Sequence, residues 1–196
     1  MTPLKQCLHL DPDSPKCSSA HRLAKSLDKS FAALSKFLLS NDWMGVVKHV
    51  AGPSSIYPGD GFLSMFDRAL EQQASREQLA PPSASSKLSV PIPDARVESP
   101  RRAHILRSVC RAYVKLNLAK KAEPWCDALL AMSSEAHKLA SEIYTESSPE
   151  VDGWIGKGEA LLAREEWEEA VRAFERAAEG SGRNNRDVSL SYLMNL

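Results

Sequence analysis

The chain has 196 residues, 43% hydrophobic and 26% charged, with equal numbers of acidic and basic side chains and a formal net charge of zero. That is enough apolar material for one substantial core or two small ones. It lacks the basic excess that DNA, RNA or an anionic membrane surface calls for. No run of apolar residues approaches the 18 needed for a spanning helix.

The first residues carry Leu4, Leu8 and Leu10 interrupted by Lys5, Gln6 and His9, and then Asp11-Pro12-Asp13. This reads as the closing helix of a helix pair, not as a signal peptide, which needs an uninterrupted apolar core before its cleavage site. The expectation is a chain that begins inside a longer array. Next, Leu27–Leu39 places Phe31, Leu34, Phe37 and Leu38 on one helical face, and Trp43–Val50 follows as a short second helix. Ser40-Asn41-Asp42 supplies the turn and an N-cap between them. Residues 1–51 thus form a partial helix pair and a degenerate one.

An insertion is expected over 52–100. Gly52–Gly61 is rich in Gly, Pro and Ser and reads as a loop. A helix over about 62–79 uses Phe62, Met65, Phe66 and Leu70, and the stretch 80–100, with five prolines, reads as an extended or mobile linker.

Residues 101–182 carry the repeat signal. The 34-residue tetratricopeptide (TPR) pattern places Trp, Gly, an aromatic or apolar residue, Ala, Phe and Ala at fixed offsets. Counting from Val151, these become Trp154, Gly158, Leu161, Ala170, Phe174 and Ala177. Two antiparallel helices cross closely only where small residues meet, which assigns Gly158 and Ala170 to the crossing and the large side chains to the space around it. The acidic run after Arg164 suits the positive end of the following helix. A second pair starts near Ala103, with Leu106, Val109, Cys110 and Tyr113 on its first helix, a break at Asn117, and Ala122 and Cys126 on its second. Pro124 costs that second helix one hydrogen bond. An extra helix over about 134–146 follows, built on Ala136, Leu139, Ala140 and Ile143. The tail 183–196 has no definite reading beyond a candidate short helix over Val188–Leu196.

The fold class is therefore all-α, a TPR-type superhelix of helix pairs with a helical and extended insertion. Such an array presents a groove lined by first helices, here Leu106–Val114 and Trp154–Leu162. Arg107, Arg111, Ile155 and Glu159 are the candidate groove residues. No nucleophile elbow, zinc-protease helix or phosphate loop is present, and Gly156-Lys157-Gly158 is too short for a phosphate cradle. The histidines are scattered and the cysteines lack zinc spacing, so the reading is a protein-binding module with no catalytic residue, cofactor or metal. Cys110 and Cys126 look into the same crossing, while Cys7 and Cys17 flank one turn; both pairings are permitted as disulfides, and four buried thiols are the alternative.

The stretch from Leu4 to Cys17 (LKQCLHLDPDSPKC) and the block from Gly156 to Ala170 (GKGEALLAREEWEEA) resemble the TPR/J-domain co-chaperones of the endoplasmic reticulum, the DnaJ subfamily that includes the p58-type kinase inhibitor, and its fungal members in particular. The placement of Cys110 and Cys126 is similar too. The resemblance implies a lumenal co-chaperone whose TPR segment holds unfolded clients, with both cysteine pairs oxidised. It implies contact with an Hsp70 only through a J domain, whose His-Pro-Asp tripeptide is absent from this sequence. The competing expectations are a cytosolic adaptor gripping Hsp70 or Hsp90 tails through a basic clamp, for which Gly156 and Glu159 fit poorly, and an inactive fragment.

Overall fold

The computed structural model describes residues 3–11, 13–53, 57–78, 94–144 and 148–181; the linker residues 80–93 and the tail 183–196 lie outside them. All regular structure among the described residues is helical. The chain divides into two units, residues 1–41 and 42–196.

In the first unit, α1 (Pro3–Leu10) packs on α2 (Pro15–Leu39). The amide of Asp11 closes α1 on the Cys7 carbonyl at 3.0 Å. Pro15 then opens α2 in its first turn, where its missing N–H costs nothing. The helix expected from Leu27 in fact begins twelve residues earlier: Pro15 is a start signal, and the interval up to Leu27 contains no breaker.

The second unit begins with α3 (Trp43–Ala51). The Asp42 carboxylate accepts the Gly45 amide at 2.8 Å, the expected N-cap. The loop to α4 (Phe62–Gln78) doubles back on itself. Gly52 has φ +80°, and a Cβ there would sit 2.8 Å from the Gly61 nitrogen, so both backbones approach through glycine. The loop includes a cis Tyr57–Pro58 bond and sets the Tyr57 ring edge-on to Trp125 at 5.1 Å. Helix α4 buries Phe62, Leu63 and Phe66. Residues 94–100, read from sequence as linker, are instead ordered: Asp94 caps the single turn α5 (Ala95–Glu98), and Ser99 caps α6 (Pro100–Lys115), with Pro100 in its first turn.

The remaining helices are α7 (Ala119–Leu130), α8 (Ser134–Tyr144), α9 (Pro149–Leu162) and α10 (Trp167–Gly180). Helix α7 packs on α6 and on α9, and α9 packs on α10. A second helix thus lies between the first helix of its own pair and that of the next, the stacking rule of a TPR array. Helix α3 packs on α6 in the same way. The left-handed turn residues Asn117 and Glu165 mark the two tight breaks, between α6 and α7 and between α9 and α10.

The crossing residues stand where the repeat spacing puts them. A Cβ on Gly158 would lie 2.7 Å from the Phe174 ring, and Ala170 is fully buried. Leu161, Ala170, Ala173 and Phe174 form one cluster, with Trp154, Ile155 and Leu162 packed against it. Ala177, Tyr113 and Ala122 are buried in the same core layer or the one before it.

Candidate functional site

The sequence points to the first-helix face as the working surface, and α6 and α9 are those helices. On α6, His104, Arg107, Arg111 and Lys115 recur at helical spacing and share one face. On α9, Asp152, Ile155 and Glu159 do the same.

The structure opens only part of that face. Helix α6 packs against α3, α4, α7, α8 and α9, and every residue from Arg102 to Cys110 is buried. The expected groove wall of Leu106–Val114 is therefore covered over its N-terminal half. Arg107 is not a groove residue. Its side chain is 4% exposed and its Nε donates to Asp152 Oδ2, tying one first helix to the next. A guanidinium buried this deeply requires its carboxylate; the pair fixes the α6–α9 register.

The open part of the face lies toward the C-terminal ends of α6 and α9. Arg111 is exposed, with its guanidinium 5.8 Å above the Trp43 ring. Lys115 is exposed beside Glu159. Burial raises the Glu159 carboxyl above the usual carboxylate range, and the Lys115 charge opposes that. Ile155 is half-buried against the α9–α10 cluster. Trp43, Arg111, Lys115, Ile155 and Glu159 thus make a strip of mixed apolar and charged chemistry. It suits an adaptable polypeptide contact and contains no nucleophile–base pair.

Within each unit, a pair of cysteines meets as the spacing permits. Cys110 and Cys126 approach with a Cα–Cα distance of 5.2 Å, and Cys7 and Cys17 with 6.0 Å, both inside the span of a disulfide. The first pair is also a seat. A Cβ on Gly156 would lie 2.5 Å from Cys126 Sγ and 2.6 Å from Cys110 Sγ, so α9 rests its glycine on both sulfurs. Sequence reasoning missed this role for Gly156, although its place two residues before the crossing Gly158 was a usable signal.

Two further anchors had no sequence signal, since their partners are far apart in the chain. Arg102 donates to Asp67 through Nε at 2.8 Å and Nη2 at 3.2 Å, holding α4 on α6. His104 stacks on Tyr144 of α8 with ring centroids 3.7 Å apart and 8° between planes. Among the described residues, no group of His, Cys, Asp and Glu has metal-site geometry, and no helix is long and apolar enough to cross a membrane.

The chain is similar to two curated fungal proteins, both called tetratricopeptide repeat and J domain-containing co-chaperone DNJ1. The one from Cryptococcus neoformans var. grubii is 32% identical over 182 residues, covering 92% of this chain and 30% of that protein. The one from Mycosarcoma maydis is 28% identical over 187 residues, covering 94% of this chain and 29% of that protein. The chain thus spans under a third of the length of the curated relatives it matches. No protein-family model matches it, and no solved structure does so significantly.

Proposed function

We propose that the chain is the protein-binding TPR segment of a DnaJ-type co-chaperone, that it holds unfolded client polypeptides, and that it works in the lumen of the endoplasmic reticulum with Cys7–Cys17 and Cys110–Cys126 oxidised. One observation carries the reading. The similarity to two co-chaperones runs through more than nine-tenths of the chain, across helices stacked as a TPR array. The juxtaposed cysteine pairs support the oxidising compartment, because two matched pairs with no cysteine left over in the chain are the expected pattern there. The client surface is the strip of Trp43, Arg111, Lys115, Ile155 and Glu159. A clamp for acidic Hsp70 or Hsp90 tails is the weaker account, since Arg107 is buried against Asp152 and unavailable to a ligand carboxylate.

Two experiments separate the parts of this reading. Peptide mapping without reduction, on protein from its own cells, is expected to recover both linked cysteine pairs; four free thiols overturn the lumenal placement and leave the binding role standing. A photocrosslinker at position 155 is expected to trap a permanently unfolded probe such as reduced, carboxymethylated lactalbumin, whereas one at Glu175 on the outer face of α10 traps little. Equal trapping at both positions overturns the assignment of the surface.

A further inference from the structure

Helix α8 lies outside the repeat pattern, and its position is informative. His104 precedes Arg107 by three residues and Arg111 by seven, so it belongs to the face of α6 that would line the groove. Yet His104 is 5% exposed, because the Tyr144 ring of α8 lies flat upon it. The chain covers part of its own first-helix face with its own helix.

The contact beneath that cover is chemically unusual. His137, on α8 itself, is 4% exposed, and neither of its ring nitrogens has a hydrogen-bond partner; Nδ1 of His104 has none either. Buried imidazoles with bare nitrogens are stable only while neutral. The surrounding groups do not rescue the charged form. From α6, the buried Arg107 guanidinium faces His104 and opposes a second positive charge. From α9, the exposed Glu150 acts on His137 and offsets only part of its burial. From α6 again, Arg101 acts on Tyr144. From α5, Glu98 is engaged by the Ser133 hydroxyl at 2.9 Å. The other charged groups of α8, Glu135, Lys138 and Glu142, are exposed.

Helix α8 also packs on α9 and α5. Ser133 ties its start to Glu98 and to the Val97 carbonyl, and Ala136 and Ala140 provide small buried contacts. At its other end Ile143 is 58% exposed. At that same end the Tyr144 ring stacks on His104.

We propose that α8 is a removable cover on the first-helix face of α6, held while His104 and His137 are neutral and released when they take up protons. Release exposes His104 and its neighbours next to Arg111 and lengthens the open strip toward the N-terminus of α6. Only that consequence rests on the client-binding reading above; the release itself does not.

The sign follows from burial. Desolvation, with Arg107 adding to it, lowers the His104 imidazole from its ordinary 6.5 to about 4. Released, it returns to the ordinary value, so the closed form loses ground as pH falls below about 6.5 and continues to lose it down to about 4. For His104 alone, the linkage relation gives a roughly 30-fold rise in the open-to-closed ratio between pH 7.5 and pH 5. His137, lowered by burial, acts in the same direction.

The test is hydrogen exchange on the full chain at pH 7.5 and pH 5, corrected for intrinsic rates, comparing the 134–144 peptide with the α10 peptide 167–180. The expected result is a drop in α8 protection of tenfold or more at pH 5 while α10 keeps its own. A double variant, His104→Phe with His137→Leu, is expected to keep α8 protected at both pH values. Should that variant fold poorly, Tyr144→Ala provides the second arm, with α8 unprotected already at pH 7.5. Full α8 protection at pH 5, or equal loss in α8 and α10, overturns the proposal.

Discussion

Gly156→Ala distinguishes a packing role from ordinary helix preference by the sign of its effect. An open glycine in the middle of a helix gains about 1 kcal/mol when replaced by alanine. At Gly156 the new Cβ would meet the two sulfurs at 2.5 and 2.6 Å, against roughly 3.5–4 Å for an ordinary contact. The sulfurs sit between α6 and α7 and have no rotamer to escape into once bonded, so α9 must move off by about 1 Å. Overpacking of this kind costs about 1–3 kcal/mol, and shifting α9 also loosens its contacts with α7. The net expectation is a loss of about 1–2 kcal/mol, or a fall in Tm of about 2–8 °C for a chain of this size. Thermal and urea unfolding followed by circular dichroism measure it. Gly153→Ala is the control. Its Cβ would meet Leu130 Cδ2 at 2.9 Å and Cγ at 3.1 Å, atoms of a side chain that can rotate, so its cost is expected to be smaller than at Gly156. In a Cys110→Ala/Cys126→Ala background, Gly156→Ala should become neutral or stabilising. A higher Tm for Gly156→Ala with both cysteines present would refute the seat.

Three further outcomes follow from the anchors. Arg107→Ala leaves the Asp152 carboxylate without its buried partner and is expected to destabilise by about 3 kcal/mol; a combined Arg107→Met and Asp152→Leu should recover most of that in the same unfolding assay. Asp67→Ala is expected to free α4 from Arg102, seen as faster exchange over residues 62–75 while α9 and α10 keep their protection. Arg111→Ala should weaken binding of an unfolded probe several-fold with little change in Tm, because the side chain is exposed and lies over the Trp43 ring.

Much of the array was legible because the TPR spacing is a local signal read within one helix pair. Gly158, Ala170 and Phe174 meet at the crossing as their offsets require, and Asp42 caps α3 as its place after a turn suggests. What escaped was set by distant partners. Periodicity placed Arg107 on the same helical face as Arg111, but it carried no information on Asp152, 45 residues away, which neutralises and buries it and takes it out of the groove. The same holds for Arg102 and Asp67, 35 residues apart. The prolines and serines of 80–100 masked the caps at Asp94 and Ser99, which begin helices before the composition turns helical. His104 is one of several scattered histidines in the sequence, because a helix outside the repeat supplies its cover and no repeat pattern encodes that.

The central claim is that this chain holds unfolded polypeptide on the strip at the C-terminal ends of α6 and α9. Fluorescence anisotropy, titrating the chain against labelled reduced, carboxymethylated lactalbumin and against the native form of the same protein, tests it most directly. Saturable binding of the unfolded form alone is expected, weakened by Arg111→Ala and by Ile155→Asp. Equal binding of both forms, or binding of the unfolded form that neither substitution changes, would contradict it.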